Sequence, residues 1–244
     1  MICSLLLLIP LGLMGGLLSG WRPKGKFDIG FRGLAFLGTS MPSFILSMIL
    51  LSIFYVKLDW FPPGRVDVTT ELAMSRSGFI EYTGAYLIDS LLNKRIDVFF
   101  VVLRHLAMPV FTLSFYHWAI LGRITRATII NERNKDYITS ARARGVKEKR
   151  LVWRHALRAV LAPSLTTIAL SAASIATGVF VVEIIYNFPG VSQVIVIAMS
   201  SFPDAPAALG FAVYSVIMVL GLMLSLDFLQ ALADPRIRDE VLKI

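Results

Sequence analysis

An all-α, polytopic membrane protein with about five transmembrane helices is the fold class predicted for this chain, and three observations predict it. Hydrophobic residues fill 56% of the 244 positions and charged residues only 16%, with mean hydropathy +0.72, whereas soluble domains carry roughly 25% charged residues. The apolar residues gather into runs long enough to cross a bilayer, which takes about 20 helical residues. Lys and Arg, which give the chain a net charge of +8, concentrate in one set of connecting segments, as the positive-inside rule expects of a membrane protein. That distribution assigns the basic excess to topology and to lipid headgroups, with no nucleic-acid partner. The single cysteine, Cys3, excludes an intramolecular disulfide framework and leaves no CxxC or Cys/His metal spacing.

In chain order, the first run is MICSLLLLIPLGLMGGLLSG. No basic residue precedes it, so it reads as a retained span over about 2–20 rather than a cleaved signal peptide. Further spans are expected at about 34–56, 105–125, 160–185 and 207–231. WRPKGKFDIGFR, residues 126–159 and the chain after Ala233 together hold 17 Lys and Arg; residues 57–104 hold six and residues 186–206 none. The first set is therefore expected in the cytoplasm, with the amino terminus outside and the carboxy terminus inside.

Residues 57–104 also carry six carboxylates and open with WFPPG, an interfacial aromatic and a tight turn, which suits an external loop with one short helix. YNFPG at 186–190 combines helix-breaking residues and ends the fourth span. VSQVIVIAMSS after it is too short to span and is expected at the outer interface. Pro42, Pro109 and Pro163 read as helix starts or kinks. One transmembrane domain over 1–232, with a cytoplasmic tail at 233–244, accounts for the whole chain.

The densest charge lies in KDYITSARARGVKEKRLVWRHALRAVLAP, residues 135–163. Residues 131–144 and 148–161 suit helices, and Gly145 between them permits a sharp change of direction. On the second helix Leu151, Val152, His155, Ala156 and Leu157 recur at spacings of three and four, opposite Lys149, Arg150, Arg154 and Arg158. Such a basic amphipathic helix can lie on anionic lipid headgroups, or it can dock on a protein partner.

The arrangement of this block resembles the coupling loop of binding-protein-dependent ABC importer permeases, in particular the peptide and nickel group that includes the oligopeptide and dipeptide permeases of B type. That branch reads close to DYxxxARAKGxxxxxxxxxHALRxxxxP, and Asp136, Tyr137, Ala141, Arg142, Ala143, Gly145, His155, Ala156, Leu157, Arg158 and Pro163 fall in step with it. Arg144 stands where the branch has Lys, and Thr139 and Ser140 replace the Glu and first Ala of the wider superfamily's signature. PSFILSMILLSIFYVKLDWFPPGR, DSLLNKRIDVFFVVLRHLAMPVFTL, VVEIIYNFPGVSQVIVIAM and LADPRIR extend the resemblance, in the right order, over nearly the whole chain. It implies the type I importer permease fold, usually of six spans with an Asn shortly before the Asp of the last one. Asp227 has Ser225 and Leu226 before it instead, and the chain is expected to begin inside the second span, truncated at its amino terminus.

Several residues then carry alternatives. His155 has no recognisable nucleophile partner and reads as packing at the loop base rather than as a catalyst. Glu183 lies near a span, where a charge costs roughly 2.5–3.5 kcal/mol at a helix centre. It is either exposed at the outer face or part of an outer gate, together with the Pro189 and Gly190 turn. Asp227 is a hydrated or paired carboxylate or a proton relay. Ser164, Thr167, Ser171, Ser174 and Gly178 form a small, weakly polar stripe that packs against a partner permease or lines the translocation path.

No GxxxxGK[ST] occurs, so the chain has no P-loop of its own, and no catalytic or metal site is expected. The resemblance implies a permease subunit that binds no cofactor and uses ATP only through partners. Those partners are a second homologous permease, two ATP-binding subunits and an external substrate-binding protein at the bacterial inner membrane. The implied cargo is short peptides, with the choice among dipeptides, oligopeptides and nickel left open. An inactive truncated permease and an ATP-independent secondary transporter are the alternatives; the latter would be expected to hold more intramembrane charges than Glu183 and Asp227.

Overall fold

A computed structural model describes residues 1–200 and 204–233, with the side chains of 162, 226, 227 and 229–233 excepted. The side chain of Asp227 and the tail from residue 234, including the end of LADPRIR, thus lie outside what is described. No strand occurs among the described residues, and the helices are α1 (Ile2–Trp21), α2 (Lys26–Ser40), α3 (Ser43–Leu50), α4 (Val68–Arg76), α5 (Tyr86–Leu92), α6 (Ile96–Glu132), α7 (Asp136–Ala143), α8 (Glu148–Arg150), α9 (Leu157–Ile185), α10 (Ser192–Ala198) and α11 (Ala205–Ala233). Two wide-turn π stretches, Leu51–Lys57 and Leu151–Ala156, continue α3 and join α8 to α9. Among the described residues four helices are long and apolar enough to cross a membrane, or up to five if α2 and α3 with its π extension form one bent span.

The expected span at 34–56 is broken. Pro42 disfavours helical geometry at the residue before it, and Met41 is extended, with φ −99° and ψ 120°. Pro109 and Pro163, by contrast, sit inside the continuous helices α6 and α9, as membrane helices tolerate. The segment 57–104, expected outside the membrane with one short helix, holds two, α4 and α5. α4 is capped by Asp67, whose Oδ2 accepts the Thr70 amide at 3.2 Å.

The chain divides into two compact units, 1–41 with 114–177 and 212 onward, and 42–113 with 178–211. In the first, α1 and α6 meet through glycine. Gly12, Gly16 and Gly20 recur every fourth residue along α1, so they share one face. A Cβ on Gly20 would stand 2.7 Å from the Arg126 carbonyl oxygen, and one on Gly16 would collide with the Gly122 carbonyl. Backbones this close gain dispersion contact that larger side chains would prevent. Leu17, Ile129, Val152, Ala156 and Val160 form an apolar cluster beside this contact.

A buried carboxylate locks the same helices. Asp28, in the first turn of α2, is fully buried. It accepts the Ser19 hydroxyl at 2.5 Å, the Lys24 amide at 2.9 Å and both the Nε and Nη2 of Arg126, at 2.6 and 2.9 Å. In the second unit, Met74, Val98 and Val102 form the core under α4 and α5. The WFPPG turn is tied down there by His105, whose Nδ1 lies 3.1 Å from the Pro63 carbonyl, and by Arg104, whose Nη2 donates to the Asp59 carbonyl at 2.6 Å. The most apolar stretch of α11, Ala205–Ser225, buries none of its residues inside the chain.

Gly20→Val must push against backbone and is expected to cost about 1–3 kcal/mol, read as a lower thermal unfolding midpoint in detergent. Asp28→Ala strands Arg126 and is expected to cost more, about 3–5 kcal/mol; a midpoint equal to that of the parent protein would refute the anchoring role.

Candidate functional site

In the basic block the chain makes a short, sharply turned lever. α7 ends with Ala143, and Gly145 takes φ +78°. The Val146 amide reaches back to the Ala141 carbonyl at 3.2 Å and the Gly145 amide to the Arg142 carbonyl at 2.9 Å. These two bonds are the Schellman arrangement, in which a left-handed residue closes the helix and satisfies its last carbonyls. No atom lies within 4 Å of the position a Gly145 side chain would occupy, so the backbone angle, not space, demands glycine. Residues 131–144, expected as one helix, are divided at 133–135, with α6 ending at Glu132 and α7 starting at Asp136. The expected helix 148–161 is instead part of an unbroken helical run through the wide turn into α9.

The two faces separate as the spacing suggests. Ile138, Ala141, Leu151, Val152 and Ala156 are buried, and His155 and Leu157 are half-buried. Asp136, Tyr137, Arg142, Lys149, Arg150, Arg154 and Arg158 are exposed. Across the turn Arg142 Nε donates to Glu148 Oε1 at 2.7 Å, and the Trp21 indole donates to the other oxygen at 3.0 Å. The Arg142 guanidinium holds the Glu148 carboxyl below its ordinary range. Arg133 Nη1 donates to the Trp21 carbonyl at 2.9 Å, which attaches the end of α1 to the block. Tyr137 donates to Glu132 Oε2 at 2.5 Å; burial, then this bond to a carboxylate, pushes the phenol up to about 12. The block is thus supported from α1 and α6 while Lys149, Arg150, Arg154 and Arg158 stay exposed.

The second constellation lies in the other unit. α9 ends at Ile185, and Asn187 turns the chain with φ +48°. Glu183 is half-buried, accepts the Ser192 amide at 3.1 Å and the Ser192 hydroxyl, and has Gly190 packed directly on its carboxylate. A side chain at residue 190 would displace that carboxylate. Tyr186 is buried, with its hydroxyl 3.0 Å from Thr112 Oγ1, and its carbonyl accepts the Gly64 amide at 2.8 Å. The WFPPG and YNFPG turns are therefore joined.

Glu183, Pro189 and Gly190 come together at this turn; Ser171 and Ser174 are not among the residues around it. Ser164, Thr167 and Ser171 are buried inside the chain itself, Ser164 facing Thr125 at 3.5 Å, while Ser174 is exposed. Among the described residues no group of three or more His, Cys, Asp or Glu side chains could hold a metal ion. The residues that sequence reasoning passed over are Asp28, Arg126 and the Gly12, Gly16, Gly20 face. The glycine spacing was a usable signal, since small residues every fourth position mark close helix contacts; the Asp28 to Arg126 pairing had none.

Comparison with known proteins agrees with this architecture. Residues 12–239 match the family of binding-protein-dependent transport system inner membrane components, and the chain belongs to that family. It is a multi-pass membrane component of a transport system, not an enzyme in its own right. Similar proteins include the oligopeptide transport system permease protein AppB of Bacillus subtilis, 33% identical over 97% of this chain and 67% of that protein. The di/tripeptide permease DppB of Pseudomonas aeruginosa is 32% identical over 94% of this chain and 66% of its own length. The probable D,D-dipeptide permease DdpB of Escherichia coli is 33% identical, again over 97% and 67%. The chain spans about two thirds of the length of these curated relatives.

Gly145→Ala forces a Cβ into left-handed geometry and is expected to cost roughly 1–2 kcal/mol locally. Hydrogen exchange at the Val146 amide should speed up by about tenfold, and Gly145→Asn should restore most of the protection.

Proposed function

We propose that this chain is one of two homologous membrane subunits of an ATP-driven importer of short peptides in the bacterial inner membrane. Two ATPase subunits drive it through the loop at 126–159, and an external binding protein delivers the cargo. The observation that carries this reading is the Gly145 turn, closed by its own hydrogen bonds, with an exposed basic edge on one side and a buried apolar edge on the other. Such an element can be pushed as a body. α8, the wide turn and α9 are continuous, so displacement of the turn tilts α9, a rigid-body coupling of the kind that hinges and helix shifts provide.

Peptides are the favoured cargo because the relatives are named as permeases for oligopeptides, di- and tripeptides and D,D-dipeptides. The excess of Lys and Arg in 126–159 supports a cytoplasmic position for the loop and for the carboxy terminus. In this topology Asp136, Tyr137, Ala141, Arg142, Gly145, His155 and Arg158 belong to the ATPase-coupling loop. Glu183, Pro189 and Gly190 form an outer gate, exposed Ser174 lines the path, and buried Ser171 packs behind it.

In proteoliposomes carrying the complete importer, Gly145→Asp is expected to abolish peptide uptake and the ATPase stimulation produced by loaded binding protein. Uptake and stimulation both unchanged would remove the coupling assignment. Glu183→Gln keeps the shape of the outer turn but loses its charge, and uptake is expected to fall while ATPase stimulation persists; unaltered uptake would end the gate assignment.

A further inference from the structure

The Glu183 turn closes one side of a cavity of about 540 Å3 within the second unit. Small-molecule pockets run about 300–1,000 Å3, so the volume suits a compact ligand. Its lining is chemically specific. Arg65 is half-buried, with its Cζ 5.2 Å from the Tyr86 ring centroid and 5.8 Å from that of Phe188. Two rings hold the guanidinium in place, and among the described residues it forms no ion pair. A planar fork so positioned suits a carboxylate, which it can engage with two parallel hydrogen bonds.

The same cavity is lined by two carboxylates that also form no ion pair among the described residues, Glu71 and Glu183. Glu183 is the better held of the two, fixed by the Ser192 amide and hydroxyl and backed by Gly190. Glu71 is exposed. Asn187 adds a neutral amide that can both donate and accept. One fixed cation, one fixed anion and an amide around a small cavity match a molecule carrying both charges and a peptide bond.

We propose that this cavity binds a small zwitterion, with Arg65 taking its carboxylate and Glu183 its ammonium, so that the two free termini of a short peptide are read on this chain. The proposal rests on the peptide-import reading for the identity of the zwitterion, not for its charges. Arg65 and Glu183 then set specificity by termini rather than by side chains, which a pathway open to many peptide sequences requires.

The test uses the complete importer in lipid nanodiscs, without nucleotide or binding protein. Binding of dialanine and of N-acetyl-dialanine amide, which has the same backbone but no charged termini, is measured by saturation-transfer NMR and calorimetry. Dialanine is expected to bind and the capped form not to. Arg65→Gln and Glu183→Gln are each expected to weaken dialanine by about tenfold or more, the loss of one charge-assisted contact. Glu183→Gln is isosteric and guards against a packing defect at Arg65, and Arg65→Lys is expected to recover part of the affinity. Equal binding of the capped form, no dialanine binding by the parent complex, or parent-like binding by both neutral variants would each overturn the site. Uptake is measured separately in proteoliposomes with the binding protein present. No uptake alongside zwitterion-selective binding would defeat the import reading and leave the site standing; uptake without such binding would defeat the site alone.

Discussion

A carboxylate with no access to water must be answered by donors on every side, and in this chain Asp28 of α2 is answered from α1, from α6 and from the turn between α1 and α2. Its four hydrogen bonds come from Ser19 of α1, the backbone at Lys24 and both faces of the Arg126 fork on α6. Removing Arg126 would leave a buried charge without compensation, and because Ser19 and the Lys24 amide hold the same carboxylate, the α1 to α2 turn and α6 are tied to one point. The glycine face of α1 belongs to the same constraint. Gly16 and Gly20 let the two helices approach until backbone meets backbone, and at that separation Arg126 pairs with Asp28 at the start of α2. Close packing and the ion pair are therefore one device. Neither would specify the register alone, since glycine faces slide and long side chains reach.

The basic block is built outward from this device. Arg133, a few residues along from Arg126, holds the Trp21 carbonyl, and the Trp21 indole holds Glu148, which in turn holds Arg142. A chain of directed contacts thus runs from the end of α1 across the Gly145 turn. In the other unit the organisation is similar in kind, with turns rather than helices brought together. Gly64 donates to Tyr186, Tyr186 packs beside Thr112, and Arg65 leaves the first turn to stack against Tyr86 and Phe188. Both Pro-Gly turns are needed to shape the cavity that Glu183 borders.

Much of this was legible in the residues. The apolar runs announced the long helices because backbone groups in lipid leave few other structures. Gly145 announced its turn because the surrounding residues all favour helix and only it tolerates positive φ cheaply. The amphipathic face of 151–157 was largely readable, with Leu151, Val152 and Ala156 buried and His155 and Leu157 half-buried, although the π winding of Leu151–Ala156 was not. Other features depend on distant partners and left no local trace. Asp28 sits in a basic, loop-like stretch, and nothing nearby says that its partner is 98 positions away. The break at Met41 was half legible: Pro42 marked a helix start or kink, and α3 does begin at Ser43, but the apolar runs on either side of it still read as one span over 34–56. The burial of Ser164, Thr167 and Ser171 against their own chain was likewise invisible, because a small polar stripe looks the same whether it faces a sister helix or a partner.

The wide turn between α8 and α9 has a mechanical meaning of its own. An α-helix transmits an axial load stiffly, since each residue is tied to the one four places on. A π stretch such as Leu151–Ala156 carries about one surplus residue per turn, and tightening it to α geometry would rotate everything beyond it by about 100°. Leu151, Val152 and Ala156 are buried and Trp153 and Arg154 exposed, so such a change of winding would exchange which side chains of the stretch face the core.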